Sequence, residues 1–151
     1  MSGMKTLKMV LCMAFLCLGL FIDDAVACTC TGGTTSELRQ SARAVFLAKV
    51  ASKRKSDAVK EDGVEVTLEV EKVWKGKITK QTIIHTGPTD DLYPFIELCA
   101  TPFKIGESYI IFAYGKKKLS TDVCAGTGDF PYAVKVIEEL GKWRLPLKGK
   151  I

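Results

Sequence analysis

The sequence has few of the groups on which most enzymes depend. It contains one histidine, His85, which stands near no nucleophile motif, so a Ser-His-Asp or Cys-His site would have no other base to use. No glycine-rich phosphate-binding loop is present, because Gly126-x-Gly128 lacks the strand and helix that frame such loops. The Asp and Glu residues are scattered along the chain rather than paired. We therefore expect neither an enzyme nor a bound cofactor.

The chain also lacks an apolar run long enough to cross a membrane, which takes about 20 residues. The apolar run Met9–Ile22 has only 14 residues, follows Lys5 and Lys8, and precedes Ala25-Val26-Ala27. A basic start, a short apolar core and an Ala-x-Ala exit are typical of a cleavable secretory signal. We expect residues 1–27 to be removed and residues 28–151 to form a secreted, extracellular single domain. The alternative is that the run is retained as an anchor.

Cysteines are the next feature. Of the six, Cys12 and Cys17 lie in the expected signal, and the remaining four are Cys28, Cys30, Cys99 and Cys124. An even number of cysteines in a secreted chain indicates two disulfides, and four cysteines allow three pairings. Zinc is the competing interpretation, but its usual pattern is two short C-x-x-C pairs, which this sequence does not have.

Cleavage after Ala27 makes Cys28 the first residue of the mature chain. A bacterial lipoprotein also begins with a cysteine, but its signal usually has Leu where this chain has Ala25. Lipidation of Cys28 would also leave one of the other three cysteines unpaired. The cysteine count therefore favours a free α-amino group on Cys28, with the lipoprotein as the alternative.

Hydrophobic periodicity predicts several strands and two helices. Thr34 and Glu37 form a capping-box pattern for a helix to about Ser41, and Asp129 precedes a helix over Phe130–Leu140. In the second helix, four residues make the stripe expected to face the core: Ala133, Val134, Ile137 and Leu140. The predicted strands are Ala44–Val50, Val64–Trp74, Gln81–His85 and Ser108–Tyr114, and the tail from Lys142 to Ile151 is either one more strand or loose. These elements predict a mainly β protein: a small closed barrel of the OB type with flanking short helices.

Several of these motifs occur in one known family. A signal ending in Ala, a Cys-x-Cys start, a strand ending Val-Trp-Lys-Gly, and the block Cys99-x-x-x-Phe103-x-x-Gly106-x-x-Tyr109 resemble the N-terminal netrin-like domain of the tissue inhibitors of metalloproteinases. The resemblance covers residues 28 to about 140, as a minimal single-domain relative without the family's third disulfide or C-terminal domain. It implies a five-stranded OB barrel and the pairings Cys28–Cys99 and Cys30–Cys124.

The resemblance also implies a function, inhibition of zinc metalloendopeptidases. The α-amino nitrogen and carbonyl oxygen of Cys28 would chelate the catalytic zinc of the protease in trans, and Thr29 would enter its specificity pocket. The other residues of the contact ridge would be Cys30, Thr31, Glu97 and Leu98. The alternative function is a non-inhibitory netrin-like binding module, whose two disulfides only stabilise the fold.

Basic residues suggest a further partner. The run Lys116-Lys117-Lys118, with Lys53, Arg54 and Lys55, is a candidate site for sulfated glycans or anionic surfaces, although charge runs in loops are usually only solvated. A net charge of +5 without an aromatic stacking strip argues against nucleic acid. We expect a monomer with no membrane span.

The intact mass of the secreted protein tests the processing prediction. It should equal that of residues 28–151 less four protons, since each of the two disulfides removes two. A diacylglycerol adduct on Cys28 would establish the lipoprotein instead and would block the amino group needed for chelation.

Overall fold

A computed structural model describes residues 30, 32–55, 63–87 and 100–149. In chain order the elements are helix α1 (Thr35–Ser41), strands β1 (Ala44–Lys55), β2 (Val64–Lys75), β3 (Gln81–Thr86) and β4 (Ser108–Ala113), a 3-10 turn (Val123–Ala125), strand β5 (Gly128–Asp129) and helix α2 (Phe130–Leu140). The strands make one antiparallel sheet in the order β3-β2-β1-β4-β5. None of the helices in these ranges has the length and apolar character needed to cross a bilayer.

The central strand β1 is buried on both faces of the sheet. Phe46 and Ala48 point into a first core, which the alternating apolar residues of β2 and β4 also line. Val45 and Leu47 point the other way, into a second core formed with α1 and α2. The first half of β1 is therefore a continuous apolar run, whereas β2 alternates between apolar and polar residues as the sequence predicts.

The prediction of a closed barrel is wrong. Within the described residues β3 and β5 are the two edges of the sheet, and they do not pair with each other. A short link lies between β3 and the end of β4: His85 exchanges backbone hydrogen bonds with Leu119 and Thr121, and Ser120 exchanges two with Tyr114. Ser120 is bridged to one residue of β3 and to one residue after β4. These two isolated bridges do not make a strand that closes the sheet, because a ladder needs several consecutive pairs. The fifth strand, which the sequence did not predict, pairs only two residues with β4.

The core face of α2 also differs from the prediction. Its limits, Phe130 and Leu140, are as predicted, and Gly141 ends it with a positive φ of 67°. However, Val134 is 44% exposed, and the buried residues are Ala133, Val136 and Leu140. Apolar residues lie on two overlapping stripes of this helix, and packing against β4 selects the one that contains Val136.

The tail after α2 continues the sheet on the edge of β2. Val73 and Arg144 exchange two backbone hydrogen bonds of 2.9 Å, beyond the point where β3 stops pairing with β2. The backbone N–H of Leu147 then donates to the carbonyl oxygen of Ile78, and the carbonyl oxygen of Leu147 accepts from the backbone N–H of Lys80. Of the two alternatives for the tail, the structure therefore favours the strand-like one, as isolated bridges rather than a full strand.

Two valines of α2 give a matched test of this packing. Val136→Ala should lower the free energy of unfolding by about 2 kcal/mol, because it removes two buried methyl groups and leaves a cavity. Val134→Ala makes the same chemical change at an exposed position and should alter stability by less than about 0.5 kcal/mol. Urea unfolding of both variants measures the difference, and equal losses would contradict the observed orientation of α2.

Candidate functional site

The structure describes one residue of the predicted contact ridge. Cys30 lies within the described residues, whereas Cys28, Thr29, Thr31, Glu97 and Leu98 lie outside them, as does Cys99. The described geometry is therefore that of the framework on either side of the ridge: the attachment of Cys30, the helix that follows it, and the chain that follows Cys99.

Cys30 forms a disulfide with Cys124, and their Cα atoms are 5.1 Å apart. Cysteine counting alone left three pairings open, and this bond is one of the two that the family resemblance implies. The prediction of Cys30–Cys124 is confirmed, and that of Cys28–Cys99 falls outside the described residues. The bond joins positions 94 residues apart and attaches the chain, two residues after Cys28, to the folded domain.

Local hydrogen bonds hold the Cys124 side of this attachment. The Asp122 carboxylate accepts a 2.9 Å hydrogen bond from the backbone N–H of Cys124 and caps the 3-10 turn. Beside the turn, the buried hydroxyls of Thr121 and Thr127 lie 2.7 Å apart, and both bond to the backbone of Phe112 in β4. The sequence did not predict these hydrogen bonds, although Asp two positions before Cys is the pattern of an Asx turn.

Helix α1 follows Cys30 closely and is fixed at both ends. Thr34 and Glu37 form the predicted capping box, and the hydrogen bonds from Thr34 lower the pKa of the Glu37 carboxyl. At the other end the Lys75 ammonium donates 2.8 Å hydrogen bonds to the carbonyls of Arg39 and Gln40. These two carbonyls are among those left unpaired where a helix ends, so Lys75 of β2 ties α1 to the sheet.

The turn that carries Cys124 lies directly against α1. A β-carbon added to Gly126 would lie 2.6 Å from Cδ1 of Leu38, and this glycine also has a φ of 83°. Only glycine satisfies both conditions without strain, so the helix and the turn approach each other more closely than any other residue would permit. Cys124 therefore lies in a turn that packs against α1, the helix that begins five residues after Cys30.

The chain after Cys99 returns to the first core. Phe103 is buried, and its ring meets that of Tyr109 edge to face at 4.8 Å between centroids. The Tyr109 hydroxyl accepts a hydrogen bond from the backbone N–H of Lys104, and burial raises the pKa of Tyr109. The segment that follows the predicted second wall of the ridge, Glu97 and Leu98, is therefore anchored within four residues of Cys99.

The described part of the site contains no recognisable catalytic set. A cleft of about 290 Å³ lies beside the disulfide, and its lining includes a single carboxylate, that of Asp122, with no histidine. Across the described ranges, no three His, Cys, Asp or Glu side chains are grouped so that they could hold a metal ion. The described framework offers attachment and rigidity, while the chemistry predicted for the site lies in the N-terminal residues.

The two basic clusters predicted from the sequence do not form one patch. Lys53, Arg54 and Lys55 end β1, whereas Lys116–Lys118 follow β4, whose last residues pair with the start of β1. The clusters are therefore separated by most of the length of β1, roughly 30 Å for an extended strand. Arg54 also contacts Glu65 at 2.5 Å on the neighbouring strand.

Comparison of the chain with models of known protein families finds no match. A search of curated proteins likewise finds no significant relative.

Removing the disulfide tests how much the attachment contributes. The double variant Cys30→Ser with Cys124→Ser should lose about 4 kcal/mol of unfolding free energy, because opening a loop of this length restores chain entropy to the unfolded state. Thermal or urea unfolding of the oxidised proteins measures it. A non-reduced digest that lacks a peptide joining Cys30 to Cys124 would contradict the observed pairing.

Proposed function

We propose that the protein is a secreted inhibitor of zinc metalloendopeptidases and that Cys28, as the first residue of the mature chain, binds the zinc of the protease. The observation that carries the proposal is the Cys30–Cys124 disulfide, which attaches the chain two residues after Cys28 to a packed turn of the domain. Stabilisation of a small fold does not by itself require this attachment to lie next to a new N-terminus.

The chemistry follows from the coordination of a catalytic zinc. Such a zinc has three protein ligands and a fourth position that water or substrate occupies. A free α-amino nitrogen and the carbonyl oxygen of the same residue form a five-membered chelate ring, which can replace that water. The Cys28 sulfur takes no part, since we expect it to be bonded to Cys99.

Rigid attachment explains why this N-terminus would bind where an ordinary one does not. Ordering one backbone residue costs about 1–2 kcal/mol, so ordering three residues on binding would cost roughly 3–6 kcal/mol. Attaching Cys30 to the turn, and Cys28 to Cys99 by the second expected bond, moves most of this cost into folding. At about 1.4 kcal/mol per tenfold in affinity, the difference is on the order of a hundredfold or more.

Residues on both sides of the amine would then contact the protease. Thr29, between the two bridged cysteines, would enter the specificity pocket, and Thr31 would extend the ridge beyond Cys30. Glu97 and Leu98 would form the second wall of the wedge. The anchoring of Phe103 against Tyr109 supports this arrangement, because it restrains the chain shortly after that wall.

An added N-terminal residue tests the mechanism directly. A variant with one alanine before Cys28 should fold normally but lose inhibition by at least about a hundredfold, because the amide nitrogen of Cys28 can no longer bind the zinc. Inhibition constants against a panel of zinc endopeptidases measure the effect, with circular dichroism to show that both proteins are folded alike.

The matched control restores the amine in the same preparation. A variant with a longer leader that a site-specific protease removes just before Cys28 should be inactive before cleavage and fully inhibitory after it. Equal inhibition with a blocked and a free amine would refute chelation. Absence of inhibition by every form would favour the alternative, a non-inhibitory netrin-like binding module.

A further inference from the structure

The tail and the turn between β2 and β3 make a continuous basic surface, which we call the basic ladder and define as residues 72–80 and 142–149. Seven cations and no Asp or Glu lie in these two segments: Lys72, Lys75, Lys77, Lys80, Lys142, Arg144 and Lys148. The nearest acidic residues in the chain, Glu71 and Glu139, flank the ladder without interrupting it. No local sequence pattern reveals this surface, because its two halves are about 65 residues apart in the chain.

Backbone pairing holds the two halves together. The bonds of Arg144 with Val73, and of Leu147 with Ile78 and Lys80, fix the tail at both ends of a four-residue stretch. The Arg144 guanidinium also donates to the carbonyl oxygen of Gly76 in the turn. The cations are therefore carried by a defined surface and not by a free tail.

Most of these cations remain available to a partner. The Lys75 ammonium is used by the carbonyls at the end of α1, and the Arg144 guanidinium by Gly76. Lys77, Lys80, Lys142 and Lys148 are exposed, and none of them has an ion pair with a carboxylate in the described ranges. A concentration of like charge of this kind attracts an anionic partner.

Large apolar side chains are interleaved with the cations. Trp143, Leu145 and Leu147 alternate with basic residues and Pro146, and they are 48%, 70% and 43% exposed. The Lys72 ammonium lies 5.0 Å from the centre of the Trp143 ring. Exposed tryptophan and leucine beside lysine match the boundary of a lipid bilayer, where apolar groups enter the acyl region and cations remain at the headgroups.

We propose that the basic ladder docks the protein on membranes rich in anionic phospholipid. Charge complementarity provides the attraction, and the three exposed apolar side chains favour lipid over a sulfated glycan, which has no apolar phase to receive them. The proposal is independent of protease inhibition, since it uses a different set of residues. Docking would concentrate the domain at the membrane surface.

Vesicle co-sedimentation of the purified, oxidised full chain tests the docking. We expect binding to phosphatidylcholine vesicles that contain phosphatidylserine, weaker binding as salt rises, and little binding to pure phosphatidylcholine. Lys142→Gln with Lys148→Gln should weaken binding by about 25-fold, at about fivefold per cation near the surface. Lys49→Gln with Lys104→Gln changes the net charge equally at exposed lysines of β1 and of the segment before β4, outside the ladder, and should weaken it by less than about threefold.

A second matched pair tests the apolar part. Leu145→Gln should weaken vesicle binding by roughly 5- to 10-fold, whereas Ile105→Gln, at a similarly exposed residue of the turn before β4, should change it by less than about twofold. Trp143 supplies a local probe, since the other tryptophan, Trp74, is buried. The emission of the wild-type protein should shift to the blue on anionic vesicles, and Trp143→Phe should abolish the shift while binding persists.

Three results would overturn the proposal. One is equal loss of binding in the Lys142/Lys148 and Lys49/Lys104 variants, which would indicate only net charge. Another is equal binding to vesicles with and without phosphatidylserine. The third is binding to heparin without binding to anionic vesicles, which would make the ladder a glycan site. Residues 1–27 affect both members of each variant pair equally, and the comparisons between vesicles and with heparin use the secreted protein of residues 28–151.

Discussion

Burial of β1 on both faces is the constraint on which the rest of the structure depends. Phe46 and Ala48 fill one core while Val45 and Leu47 fill the other, and β2 and β4 pair with the strand on its two sides. A strand in this position cannot slip by one residue without exchanging the contents of the two cores. It therefore sets the register of its neighbours and gives α1 and α2 one face on which to pack. Removing its apolar side chains would separate the helices from the sheet rather than weaken a single contact.

The candidate site is a consequence of that packing. Because the helices share one face of the sheet, α1 brings Cys30 close to the turn after β4, and Gly126 permits the near contact between them. The disulfide then joins the segment that precedes α1 to the turn that follows β4. The buried hydroxyls of Thr121 and Thr127 satisfy the backbone of Phe112, so this end of β4 stays paired where no neighbouring strand in the described ranges covers it. The proposed zinc-binding residue, Cys28, precedes this attachment by two residues.

Charge is distributed by the same topology. Within the described residues the sheet is open at β3 and β5, and the tail uses part of the edge of β2 that β3 leaves unpaired. That pairing places lysines from two distant segments on one surface. The basic clusters at the two ends of β1 remain far apart. The proposed zinc-binding N-terminus and the basic ladder thus involve different residues of one domain. A protein that docks on a membrane and inhibits a protease there would use both, and each can be tested without the other.

Features that depend on neighbours in the chain could be predicted from the sequence. The capping box of Thr34 and Glu37, the limits of α2 and the alternation of β2 are set by local hydrogen bonds and by the period of apolar residues, and the structure has all three. The chemistry expected of Cys28 also comes from the sequence, through the signal exit and the family resemblance. Tertiary structure decided three features that local patterns leave open. Helix α2 buries Val136 instead of Val134, the described sheet stays open, and the tail pairs with β2. The physical reason is that each of these outcomes depends on contacts between segments far apart in the chain. The free energy of such contacts cannot be read from a local pattern of residues.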